Sequence, residues 1–323
     1  MVTLGYKLMS EEHGPAELVR NLQRAEQAGF DFAAISDHVS PWIEEQGHAS
    51  FAWSVLGALA QATRRIGLMT AVTCPIMRYH PAIVAQAAAT LGLLSGDRFA
   101  LGLGAGERLN EHVTGEGWPG VGERHARFAE AIDIIQGLLT GEVSNYRGTY
   151  HRLDHARLFD RPQRKPPLII AAGGPEAARL AARKGDGLIA TEPRADLIEA
   201  YRGAGGSGPC YAEVSLCYAP SEEEARETAH RYARWSLTGW PVMAELPSVE
   251  SFAAATKHIT PEMVAQQVTC GPSAERHLEA IHRFRQTGFD HLILNQVGPE
   301  QERFIAFFEQ TLAPALRGSP GKG

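Results

Sequence analysis

The chain has only four cysteines in 323 residues, Cys74, Cys210, Cys217 and Cys270, and none of them stand in a C-x-x-C spacing. So few in so long a chain argue against a disulfide scaffold. Basic charge is also short: 31 Lys and Arg against 37 Asp and Glu leave a net charge of −6. Without a basic field to offset a phosphate backbone, a general nucleic-acid binder is not expected, although one small basic pocket is still allowed. No apolar run approaches the roughly 20 residues that span a bilayer. The opening "MVTLGYKLMS" lacks a charged n-region before an apolar stretch, so neither a membrane span nor a signal peptide is expected, and a cytoplasmic location is. The 13 histidines include no H-x-H pair, and no G-x-S-x-G nucleophile elbow occurs. No metal site is therefore expected, and metal-dependent and serine hydrolysis lose their usual carriers. Lys7 could lie on a first strand, whereas Lys165 and Lys184 fall in loop or helix-end positions, so Schiff-base chemistry is not favoured.

Short apolar runs are abundant. "TLGYKLM", "DFAAISD", "IGLMTAVTC", "RFALGLGAG", "PPLIIAAGG", "DGLIAT", "CYAEVSLCYA" and "HLILNQVG" read as about eight strands. Most show no polar alternation, as expected of strands buried on both faces. Helical stretches separate them, the first opening at Pro15, which suits a first helical turn. A phrase recurs in "AEQAGFDFAAISD", "ARKGDGLIAT" and "FRQTGFDHLILNQ": a helix closes on Gly29, Gly185 or Gly288, and a strand follows. Glycine relieves the left-handed turn that ends a helix. About eight such units predict a closed (β/α)8 TIM barrel, a single domain over residues 1–318 with a flexible tail at 319–323. Residues 141–165, hairpin-like, and 236–260, polar and proline-bearing, read as insertions.

In such a barrel the residues just after each strand share one rim, where active sites lie. Asp37-His38 follows the second strand, Cys74-Pro75 the third and "GAGERLNEH" the fourth. His38 suits either a structural residue or a general base near neutral pH. Gly102, Gly104 and Gly106 read as room for a ligand's plane against the backbone. The spacing lacks the last glycine of the dinucleotide fingerprint, which is rejected. Glu107 and Asn110 would share a helix face, Glu107 fitting either a dipole-favoured helix start or a site residue. Gly173-Gly174 before a helix fits a phosphate seat or an unliganded turn.

The segments "SDHVSPW", "RYHPAIVAQAAATL", "LGLGAGERLNEH" and "IIAAGGPEAARLAARKGDGLIAT" resemble the luciferase-like flavin and deazaflavin oxidoreductases, and most of all the group of F420-dependent glucose-6-phosphate dehydrogenases. The similarity runs from about residue 3 to "LAPAL". It implies a homodimeric barrel with coenzyme F420 over the rim. His38 would be the acid/base partner of the substrate hydroxyl, hydride would pass to C5 of the deazaflavin, and Glu107 would handle the proton at its N1 side. Trp42 would stabilise developing charge and Glu11 would belong to the substrate site. Asp37, Ala105, Gly106 and Asn110 match cofactor contacts, and Gly173, Gly174, Glu176 and Ala177 match its phosphate seat. A non-prolyl cis peptide would fall at Ala71-Val72, and Cys74 replaces a threonine that touches the cofactor. Thr191 and Arg194 fit part of the family's sugar-phosphate pocket. Glu245 and Gln267 stand where it carries lysine and arginine, which removes charge-assisted bonds of roughly 1.5–3 kcal/mol each. The expected activity is dehydrogenation of an alcohol or sugar hydroxyl. The alternatives are an FMN-dependent luciferase-like monooxygenase or reductase, and a non-catalytic F420-binding protein. The presence of both His38 and Glu107 favours the dehydrogenase.

Overall fold

The apolar runs form strands because both of their faces find cover. A computed structural model describes residues 2–318; the tail expected at 319–323 lies outside the described residues. In chain order the strands are β1 (Thr3–Leu8), β2 (Phe32–Ile35), β3 (Gly67–Thr70), β4 (Phe99–Leu103), β5 (Ser144–Arg147), β6 (Arg152–Ala156), β7 (Leu168–Ala171), β8 (Gly187–Ala190), β9 (Cys210–Cys217), β10 (Thr269–Cys270) and β11 (His291–Gln296). Eight of them pair in parallel in the cyclic order β1-β2-β3-β4-β7-β8-β9-β11, and β11 returns to β1. The barrel is closed, as the repeated units predict. Alternation on β2 shows the two faces. Phe32 and Ala34 turn inward to a cluster with Met69, Ile169, Ile189 and Ile293, and Ala33 and Ile35 join the larger core under the helices. The hairpin predicted within 141–165 is the antiparallel pair β5–β6.

Helix ends follow the sequence in two cases of three. The helix Pro15–Gln27 carries Pro15 in its first turn, and Gly29 and Gly288 take left-handed φ values of 88° and 102°. Gly185 does not. It is extended at φ −106°, and its glycine is required by space, because a Cβ there would lie 2.7 Å from Ile170 Cγ1 and 2.9 Å from the Ala181 carbonyl.

The insertion at 236–260 is less polar in space than in sequence. Its helices Trp240–Met243 and Val249–Ala255 bury Met243 and Phe252 in a cluster with Trp42, Ile43 and Leu109. Trp235, just before it, stacks on Trp42 at 4.5 Å between ring centres. The segment is thus fastened to the loop that follows β2. No helix among the described residues is long and apolar enough to cross a membrane.

Candidate active site

β1, β2 and β4 deliver three titratable side chains to one point of the rim. Their apolar strands are locked in register, so the first polar residues beyond them are aimed together. His38 stands between two carboxylates. Its Nδ1 meets Glu11 Oε1 as an ion pair rather than along a well-aligned hydrogen bond, and its Nε2 lies 3.6 Å from Glu107 Oε1. Glu11 is fully buried. Burial pulls the His38 imidazole down, but the charges of Glu11 and Glu107 outweigh it, and the net shift is upward. For Glu11 burial pushes upward, and the imidazolium of His38 with the ammonium of Lys7 brings the carboxyl below its usual range. The arrangement favours the imidazolium over the neutral ring, and a group so placed can exchange a proton with a ligand.

Glu107 caps the short helix Arg108–Glu111. Asn110 Nδ2 donates to Glu107 Oε1 at 2.7 Å, and Asn110 Oδ1 accepts from the backbone N–H groups of Val39 and Ser40 at 2.7 and 2.9 Å. Asn110 therefore spans the loops of Glu107 and His38. Trp42 meets the His38 ring edge-on at 5.0 Å, and Gln46 Oε1 accepts its backbone N–H at 2.9 Å.

Asp37 is buried, and both its oxygens are taken within the protein. Oδ2 accepts from Thr73 Oγ1 at 2.7 Å and Trp53 Nε1 at 3.1 Å, and Oδ1 from the Tyr79 hydroxyl at 3.0 Å and Arg78 at 3.2 Å. Arg78 also reaches Glu111, whose carboxyl is pushed up to about 7, chiefly by burial. Sequence reasoning passed over Thr73, Arg78, Tyr79 and Glu111; the only signal was a polar "RYH" following an apolar strand.

The peptide Ala71-Val72 is cis, as the resemblance implies. The glycines of β4 serve the protein first. A Cβ at Gly102 would lie 1.9 Å from the Thr70 carbonyl oxygen, and one at Gly104 would lie 2.6 Å from Val72 Cγ2. Gly106 is left-handed at φ 73°, with Cys74 Sγ 2.4 Å from the place of its Cβ. These glycines let the end of β4 and the loop after it pack against the turn that ends β3. Ala105 is half-buried beside them. Cys74 lies beneath, and its thiol is pushed well up by burial, so it stays protonated and unreactive.

Across the rim the helix Pro175–Lys184 begins at Gly174 without a side-chain cap, and nothing lies within 4 Å of where a Cβ would stand. Glu176 is exposed and pairs with Arg179 at 2.5 Å; Ala177 is half-buried. Thr191 is exposed, and Arg194 grips Asp196 and donates to the Gly173 carbonyl at 2.9 Å. Glu245 pairs with Arg124, and Gln267 is exposed with no part in the site. His151 and His155 are four residues apart, a spacing that brings two ligands together only on a helix. His155 lies on β6 and His151 immediately before it, and in extended chain such a spacing covers about 13 Å. No group of three or more His, Cys, Asp or Glu among the described residues could hold a metal ion.

A sequence model of the luciferase-like monooxygenases matches residues 2–291. The F420-dependent glucose-6-phosphate dehydrogenase of Beutenbergia cavernae is 38% identical over 330 residues, which are 98% of this chain and 98% of that protein. That of Tsukamurella paurometabola is 37% identical over 97% of this chain and 98% of its own. An F420-dependent secondary alcohol dehydrogenase, solved with an F420-acetone adduct, superposes with a TM-score of 0.89 at 29% identity, over 96% of this chain and 98% of that one. A coenzyme F420 dependent tetrahydromethanopterin reductase from Methanopyrus kandleri has a TM-score of 0.77 at 21% identity, over 97% and 99%, and shares the fold.

Proposed function

The chain belongs to the luciferase-like monooxygenase family, and from that premise we propose that it is an oxidoreductase that uses coenzyme F420 to oxidise the CH–OH group of a small alcohol or sugar. The observation that carries this reading is the imidazole of His38 held between Glu11 and Glu107 at the barrel rim. Relatives named F420-dependent dehydrogenases at 37–38% identity favour F420 over FMN. Retention of the acid/base pair favours a working enzyme over a binding protein.

The residues fit such a cofactor. The uncapped helix start at Gly174, with Gly173, Glu176 and Ala177, leaves backbone N–H groups free for an anionic phosphate. Ala71, Val72, Cys74, Ala105 and Gly106 offer a small apolar bed, and Asp37 supports it by holding Thr73, Arg78 and Tyr79. When bound, the deazaflavin supplies a two-electron hydride acceptor. The chain's own residues supply the proton sites. His38 Nε2 takes the proton of the substrate hydroxyl, Glu11 steadies the imidazolium from Nδ1, and Glu107 holds a second proton, with Asn110 fixing its carboxylate. Trp42 walls the pocket, and Thr191 and Arg194 stand on the substrate's far side. In the reverse direction His38 gives the proton back.

The four described cysteines are free and buried, which suits a reducing cytoplasm. Ile83 and Leu94 are about half exposed, eleven residues apart on one stripe of the helix Pro81–Ser95. A second copy covering that stripe would make the expected homodimer, and the mass in solution checks it.

The test mixes the purified chain with F420, FMN and NADP in turn and follows reduction of each with a panel of alcohols and sugars. Tight FMN binding without F420 turnover would overturn the reading. In His38→Ala, loss of the base should lower alcohol oxidation by about 10²–10⁴-fold. A change within about threefold would remove His38 from the role.

A further inference from the structure

Four buried or half-buried cations of the barrel each pair with a carboxylate of the chain. Lys7 Nζ lies 2.8 Å from Glu213. Arg78 pairs with Asp37 and Glu111 at 3.2 and 3.5 Å. Arg194 gives Nε and one terminal nitrogen to the two oxygens of Asp196, at 3.0 and 2.5 Å. Arg124, almost fully buried, donates to Glu245 Oε1 at 2.9 Å and to the Pro119 carbonyl at 2.8 Å, and its guanidinium lies 4.5 Å from the ring centre of Trp118. Glu245 is held where it can do this because its neighbour Ala244 accepts the backbone N–H of Arg108, the first residue of the Glu107 helix, at 3.0 Å.

A phosphate dianion is recognised by cations with donors to spare, above all the open fork of an arginine. Each of these four already has its charge paired with a carboxylate of the chain. Arg108 is exposed, and a contact made there is screened by water. Near His38 the surroundings are instead two carboxylates and the ring of Trp42, which Trp235 and the buried Phe252 pack against. Like charge repels a dianion, while the stacked indoles reward apolar surface.

Resting on the F420-dependent reading above, we propose that the substrate is an uncharged alcohol with an apolar substituent and no phosphate, and that Glu245 sets this selectivity by neutralising Arg124 beside the Glu107 helix. Glu245 excludes the phosphorylated sugar that relatives of similar sequence are named for.

The chain is loaded with F420, with binding followed by the cofactor's own fluorescence. Values of kcat/KM are then measured for propan-2-ol, cyclohexanol, 4-phenylbutan-2-ol, glucose and glucose 6-phosphate, in the wild type, Glu245→Gln and Glu245→Ala. The best neutral apolar alcohol should exceed glucose 6-phosphate by about 100-fold or more, since two missing charged bonds are each worth roughly tenfold or more. Glucose 6-phosphate should gain nothing over glucose. Either variant should narrow the gap by about tenfold, by raising the phosphorylated rate. Glucose 6-phosphate equal to or better than the alcohols, or bound F420 with no neutral alcohol oxidised, overturns the inference while leaving the cofactor reading intact. An unchanged gap in both folded variants removes Glu245 from the role. Failure to bind F420 overturns both readings.

Discussion

Replacing Glu11 by Gln keeps the shape of the side chain and removes the charge that faces His38 Nδ1. In the wild type that charge is the largest influence raising the imidazole, set against the opposing effect of burial. The sign follows. Alcohol oxidation needs a neutral His38 to take the proton, so kcat/KM should rise with pH as the raised imidazole is deprotonated. Without Glu11 the imidazolium is less favoured, and deprotonation comes at lower pH. The acidic limb of the Glu11→Gln profile therefore moves to lower pH, and ketone reduction, which needs the imidazolium, loses rate on the alkaline side. Glu11 is fully buried, so solvent screens the contact little. An opposite charge this close favours the charged form by about 1.4–3 kcal/mol. The variant-to-wild-type ratio of kcat/KM on the acidic side should then exceed its plateau value by roughly 10- to 100-fold. Initial rates of deazaflavin reduction, taken from acid to alkaline pH at saturating cofactor, give both profiles. A limb that stays in place, or moves to higher pH, would refute the coupling of Glu11 to His38. A loss uniform across pH would make Glu11 a packing residue only.

Glu12 is buried, and desolvation pushes its carboxyl up to about 8. Its folded value lies above the ordinary one, so the stability it carries is full below about pH 4.5 and is lost as pH rises through about 8. Thermal melting should show the Tm of Glu12→Gln gaining on the wild type from pH 5 to 9, a swing of up to a few kcal/mol; a constant difference would count against it. In Gly102→Ala the new Cβ would fall 1.9 Å from the Thr70 carbonyl oxygen. Backbone must move, so a loss of about 1–3 kcal/mol or more is expected by denaturant unfolding, with weakened F420 binding because Val72 shifts as well. Wild-type stability in that variant would show that the β3–β4 turn relaxes freely.

The barrel and the His38 and Glu107 positions were legible because they depend on local signals. An apolar strand buried on both faces must end where its first polar residue appears, and Asp37-His38 and Glu107 are such ends. The supports were not legible, because they join residues far apart in the chain. Asp37 meets Arg78 and Tyr79 across 41 and 42 residues, Lys7 meets Glu213 across 206, and Gly298 reaches Glu12 across 286. No spacing rule connects such pairs; only closure of the barrel does. Gly185 shows the converse limit. It is the C-cap itself and is extended, whereas Gly29 comes one residue past the C-cap Ala28 and is left-handed, a difference that only the observed helix ends reveal.

The same distinction bears on substrate choice. The resemblance implies that Glu245 and Gln267 stand at basic positions of the family's sugar-phosphate pocket, and it treats the two departures as equal. In space they are not. Both side chains are exposed, but Gln267 has no contact to the site, while Glu245 is tied to the Glu107 helix through Ala244 and pairs with a buried arginine. A missing cation leaves a gap that water can fill, but an added carboxylate that pairs with a second cation neutralises that one as well. Selectivity against a dianion should therefore be traced to Glu245, and a substitution at Gln267 that adds a positive charge should recover far less phosphorylated-substrate turnover than one at Glu245 that removes a negative one.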